Sequence, residues 1–243
     1  LWARYVEITE RRHCLAHSDA MATLQYIDNC REAGFDWKKE FNHDPPQLGE
    51  KLGVSGAYVD YACSMLFEMA AKLTHFVGRV LFEGELKLLD VHLNKNCIYE
   101  NLIRENSFVA KQIALYAKGL PRHSDQEHKL MFFVNLAIAH KQLGEFKECE
   151  KLVSGPEWDV YEDRFKMARA ALLEDLERVV GLMKKIGPGE DPGKHGYRVW
   201  PLFKWVREKD AFQAAFQEIY GEPLKLEQAV DLESASPAAP AKE

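Results

Sequence analysis

Apolar residues recur at helical rather than strand spacing along nearly the whole chain, which predicts an all-α protein. From Leu1 to His17 one stripe carries Leu1, Tyr5, Ile8 and Leu15, with Trp2, Val6 and Ala16 beside it, while Arg4, Glu7, Arg11 and Ser18 fall on the opposite, solvent-facing side. A short helix is expected around Met21 to Ala33. A polar loop through Asn42-His43-Asp44-Pro45-Pro46 follows, where Pro45 drives Asp44 out of helical geometry. Tyr58 to Phe82 holds no proline, is dense in apolar side chains and is preceded by Ser55, a good N-cap, so it should be the longest helix. Gly84 breaks the pattern. Helical segments are then expected near Glu85 to Asn101 and Ser107 to Ala117, the second ended by Gly119-Leu120-Pro121.

Beyond Pro121 the pattern turns to paired helices. The stretch from Asn135 to Cys149 places Leu136 and Ala137 on a first helix, Leu143-Gly144 at a turn, and Phe146 and Cys149 on a second. It resembles the heart of a tetratricopeptide repeat, whose large and small residues alternate so that helices pack closely in hairpins. Met167, Leu173, Leu176 and Val179 repeat the spacing about thirty residues on, with Glu174 standing where Gly144 stood. Trp200-Pro201-Leu202-Phe203, Arg207 and Phe212 resemble a closing element, Pro201 being suited to a helix start. From Pro223 the chain becomes small and polar and should form a disordered tail.

Composition narrows the class. With 47% apolar residues the 243-residue chain can build a sizeable core. A net charge of −6 argues against coating nucleic acid by bulk electrostatics, though a local basic site remains open. The five cysteines (Cys14, Cys30, Cys63, Cys97, Cys149) are scattered, so neither a disulfide framework nor a structural zinc is indicated and a reducing, cytoplasmic setting is expected. No apolar run reaches the length of a membrane span and no signal peptide is evident, so no membrane partner is expected. The chain opens at Leu1, without Met, inside an amphipathic helix, and residues are expected to precede it.

The first helix holds the residues with the most chemical content. Arg12 falls in the stripe of Leu1, Tyr5, Ile8 and Leu15, and His13 falls beside Trp2 and Val6. A guanidinium keeps its proton, so on an apolar face it must meet a carboxylate, a phosphate or a water-filled cleft. His17 lies five residues on, followed by Ser18-Asp19. Together Arg12-His13-Cys14-Leu15-Ala16-His17 resembles the motif of the HEPN superfamily of helical ribonucleases: Arg, a polar residue, a short spacer, His. The order of the following segments, through Tyr26 and Cys30, the Pro45-Pro46 loop and the helix from Tyr58, is similar to that family as well, and covers about the first third of the chain.

The resemblance implies a partial HEPN-like bundle over 1–83, followed by a hairpin array over 84–222 and the tail 223–243. It further implies that two protomers pair through this region and cleave RNA without a metal or other cofactor. Arg12 would hold the phosphate, His17 would transfer protons and His13 would orient its neighbours. The hairpin array would bind a protein or peptide on its concave face or hold the nuclease in check. On one continuous helix Arg12 and His17 stand roughly 140° apart, so a helix end near Ala16 or a second protomer is needed for them to converge. The plainer account makes Arg12 half of a buried ion pair with Glu68 or Glu83 and His17 a helix C-terminal residue, and the rival function is a non-enzymatic adaptor. His123 and His128, with Asp125 and Glu127 between them, read as a solvated loop and helix start, and Trp200, Phe203, Trp205 and Phe212 as capping core.

Overall fold

The computed structural model describes residues 1–154, 156–189 and 191–225, and within them the protein is all-α. Extended pairing among the described residues is limited to one isolated bridge, between Met21 and Lys51. None of its helices is long and apolar enough to cross a membrane. The chain divides into two compact units, Leu1–Leu93 and the part from Asn94 onward. This division falls at Leu93, later than the Gly84 break in the sequence pattern suggests.

In the first unit, α1 (Trp2–His17) packs against α2 (Leu24–Glu32) and α4 (Gly56–Leu81), with the single-turn α3 (Trp37–Phe41) between the last two in sequence. The starts of α2, α3 and α4 have a local cause: Thr23, Asp36 and Ser55 accept from the backbone N–H three residues on, at 3.1, 3.0 and 3.1 Å. Asn42 closes α3 in the left-handed region, a conformation asparagine tolerates. Ser55 and the length of α4 are as the apolar pattern predicts; α3 was too short to leave a periodicity. Tyr26, Ile27, Cys30, Phe35, Trp37 and Leu52 form the small core, with Cys14 and Ala22. A 3-10 turn (Glu83–Glu85) leads to α5 (Leu86–His92), which comes so close to α4 at Gly78 that a Cβ there would stand 2.8 Å from Leu89 Cδ2. Asp90, fully buried, lies 3.3 Å from His75 Nε2 and accepts from Arg79 at 3.0 Å, tying α5 to α4.

The second unit begins in a π-helical turn (Leu93–Tyr99) and α6 (Glu100–Ile103), then runs through α7 (Ser107–Lys118), α8 (Gln126–Gln142), α9 (Phe146–Val153), α10 (Asp163–Leu172) and α11 (Leu176–Ile186). α7 packs on α8, α8 on α9, and α10 on α11, an arrangement of antiparallel hairpins. Gly144 turns α8 into α9 at φ 74°, and Glu174 does the same between α10 and α11 at φ 58°. The Glu174 carboxylate reaches Lys141 Nζ at 2.9 Å. Lys141, nearly fully buried, also donates to the Leu172 carbonyl at 2.7 Å and sits over the Trp205 ring, so one side chain ends α10 and joins two hairpins.

The closing element is α12 (Lys194–Val199), a 3-10 turn begun by Pro201, and α13 (Asp210–Tyr220). Buried Tyr197 is ringed by Phe203, Phe212 and Phe216 at 5.1, 6.0 and 6.4 Å, so Phe203 and Phe212 are packed core. Of the tail expected over 223–243, residues 226–243 lie outside the described residues. A Cβ built on Gly144 meets nothing within 4 Å, so the cost of Gly144→Ala is conformational alone: stability should fall by about 1 kcal/mol, read as a lower urea midpoint with an unchanged slope.

Candidate functional site

The inward face of α1 is polar. Glu7 is fully buried, and both of its oxygens are occupied: Oε1 accepts from Arg11 Nε at 2.7 Å and from the Tyr26 hydroxyl at 2.9 Å, and Oε2 from the Tyr58 hydroxyl at 2.9 Å. Arg11 in turn donates from Nη1 to the Gly53 carbonyl at 2.8 Å and from Nη2 to the Tyr26 hydroxyl at 3.3 Å, with its guanidinium 4.4 Å from the Tyr58 ring centre. Trp37 Nε1 donates to the same Tyr26 hydroxyl. One carboxylate therefore binds α1, α2, α4 and the 53 loop together.

This network sets the local titration behaviour. Burial, and then the Glu7 charge, push the Tyr26 and Tyr58 hydroxyls well above the ordinary phenol range. The same two causes push the Cys30 thiol up to about 12. For Arg11 burial favours deprotonation, but the Glu7 charge and the two tyrosines outweigh it and the guanidinium is held more firmly charged. A cleft of about 500 Å³ opens beside it, lined by Arg11, Glu40, Phe41, Gly53, Tyr58 and Tyr61 among others. Glu40 is paired with Arg4 at 3.0 Å.

Arg12 stands elsewhere than the apolar stripe implied. The buried residues of α1 are Glu7, Arg11 and Cys14, while Arg12, His13 and His17 are all exposed, as are Leu1, Trp2 and Leu15. The face is inverted because an i, i+4 Glu–Arg pair neutralises itself, and the Tyr26 and Tyr58 hydroxyls and the Gly53 carbonyl meet its remaining hydrogen-bonding capacity. Arg12 has no ion pair or hydrogen bond among the described residues, and the ion pair considered with Glu68 or Glu83 does not form; Glu68 pairs with Lys72 instead. The arginine that must be paired is its neighbour.

His13 and His17 lie one turn apart with ring centres 4.9 Å from each other, and His17 ends the helix. Ser18 then leaves helical geometry, and Asp19 and Ala20 both take positive φ, a sharp turn straight after the motif. Elsewhere, Asp125 caps α8 and contacts His128 Nδ1 at 2.7 Å, and His123 meets the Ala117 carbonyl. No group of metal-ligating side chains occurs among the described residues. The chain matches no protein-family model, no curated protein and no solved structure.

The signal that sequence reading missed was the Glu7-Arg11 spacing itself: two opposite charges one turn apart mark a face that can be buried as readily as an apolar one. Glu7→Ala should lower stability by about 3–5 kcal/mol, because Arg11 keeps its charge in the core, whereas Arg12→Ala should change it by less than about 0.5 kcal/mol; urea titration separates the two. A thiol or phenol whose pKa is raised by folding ionises first in the unfolded chain, so its stabilisation is complete below the ordinary values of 9.0 and 10.0. The melting temperature should therefore decline as pH rises above 9 toward 12, and the tyrosine absorbance change near 295 nm should track unfolding.

Proposed function

We propose that the first unit is a HEPN-type ribonuclease-like domain in which Arg12, His13 and His17 act on RNA, with no metal or cofactor required. The observation that carries the reading is their common exposure. A permanent cation without an internal partner and two imidazoles in ring contact occupy the open last turns of one helix. These groups suit a phosphodiester: Arg12 holds its oxygens, His17 takes the proton of the ribose 2′-hydroxyl, and His13 steadies the His17 ring. The 2′ oxygen then bonds to phosphorus, and the 5′ oxygen departs with a proton returned by the imidazolium, leaving a 2′,3′-cyclic phosphate. A second copy of the chain completes such a cleft, since Arg12 and His17 point to different sides of α1.

A second reading, an adaptor without turnover, draws support from a different observation: α4 leaves an extended apolar face open. In that reading the hairpins of the second unit take a protein or peptide partner.

The test is incubation of the whole chain with a mixed pool of labelled RNAs in EDTA, alongside Arg12→Ala and His17→Ala. Cyclic phosphate ends that appear with the wild type and fall at least a hundredfold in both variants support the nuclease. Absence of cleavage by folded wild-type protein sinks it in favour of the adaptor.

A further inference from the structure

α4 is the longest helix among the described residues, about 39 Å along its axis, and one side of it is exposed. Its inward side carries Met65, Glu68, His75 and Gly78. Outward lie Val59, Cys63, Leu66, Phe67, Ala70, Leu73, Thr74, Val77, Val80 and Leu81, all exposed, with Asp60 the charged residue exposed at their edge, in the column of Phe67 and Thr74. Leu73, Val80 and Leu81 are 57, 60 and 66% exposed. Exposed apolar side chains run the length of the helix, from Val59 at 46% to Leu81 at 66%, a continuous surface of the kind that marks an interface.

Within that face the spacing is specific. Val59, Cys63, Leu66, Ala70, Leu73, Val77 and Val80 alternate steps of four and three, the seven-residue period that keeps one seam facing another helix. Large residues at one seam position, Leu66 and Leu73, alternate with small ones at the other, Cys63 and Ala70. Turned antiparallel about a two-fold axis near residue 68, the seam fits its own copy: Leu66 meets Ala70, Leu73 meets Cys63, and Val59 meets Val77. Each large side chain then faces a small one, and the reciprocal contact follows by symmetry. A parallel pairing would set like against like and lose that fit.

We propose that two copies of this chain associate through α4, antiparallel and in this register. The seam is a property of α4 alone and does not depend on the Arg12 cluster being catalytic.

Two measurements on the full chain decide it. Sedimentation at tens of micromolar should find a dimer, and Ala70→Glu, placed on a side already exposed in the single chain, should leave the helical signal intact while raising the dissociation constant about a hundredfold or more. A monomeric wild type, or an Ala70→Glu form as dimeric as the wild type, overturns the proposal. Under mild oxidation, Leu73→Cys should form a covalent dimer joined from Cys63 of one copy to position 73 of the other. Positions 63 and 73 of the same helix stand about 15 Å apart and cannot join to each other. Wild-type chains linked Cys63 to Cys63, or no 63-to-73 link in the variant, would overturn the register. Neither measurement involves RNA, so loss of the nuclease reading and loss of the seam are told apart.

Discussion

The buried Glu7 carboxylate joins α1 and α2 of the first unit to α4. Glu7 holds Arg11 on its own helix, Tyr26 on α2 and Tyr58 on α4, and through Arg11 it reaches the loop at Gly53. A charge with no access to water is tolerated only when it is paired and fully hydrogen-bonded, and here both conditions hold. The arrangement is directional in a way that apolar contact is not. Sliding α1 by one residue would unmake the Glu7 and Arg11 bonds together, so the pair sets helix register as well as orientation.

That orientation decides what α1 offers to its surroundings. With Glu7, Arg11 and Cys14 inward, the opposite side presents Arg12 and His13, and His17 at the helix end. A buried arginine and an exposed one thus sit side by side in sequence, the first holding the fold and the second without an ion pair or hydrogen bond among the described residues. The same choice leaves Trp2 and Leu15 outside, and α4 adds its largely apolar outer side. The first unit accordingly sets a buried polar network beside its apolar core and leaves apolar side chains of α1 and α4 exposed.

The second unit is built on the opposite principle. Its helices pack through small and aliphatic residues, Ala137, Ala139, Ala168, Ala170 and Ala171 among them, and polar groups serve as clamps at hairpin ends. Lys141 is the clearest of these, closing α10 through the Leu172 carbonyl and pairing with Glu174 at the turn. The equivalence of Gly144 and Glu174, visible in the sequence as a mismatch, is a matching backbone turn reached by two side chains of different cost.

Helical class, the cap at Ser55, the long α4 and the Leu143-Gly144 turn were legible in the sequence because each depends on neighbours a few residues away. Arg12, His13 and His17 stood out in the sequence for their spacing, while the buried stripe assigned to Arg12 was not what the fold adopts. Which face of α1 turns inward was not legible, because the hydroxyls of Tyr26 and Tyr58 and the carbonyl of Gly53 come from positions far along the chain, and only tertiary packing brings them to Glu7 and Arg11. Periodicity counts apolar side chains and is blind to a charge pair that satisfies itself. The sequence determined the helices and their chemistry; the tertiary structure decided which side of each one meets the solvent.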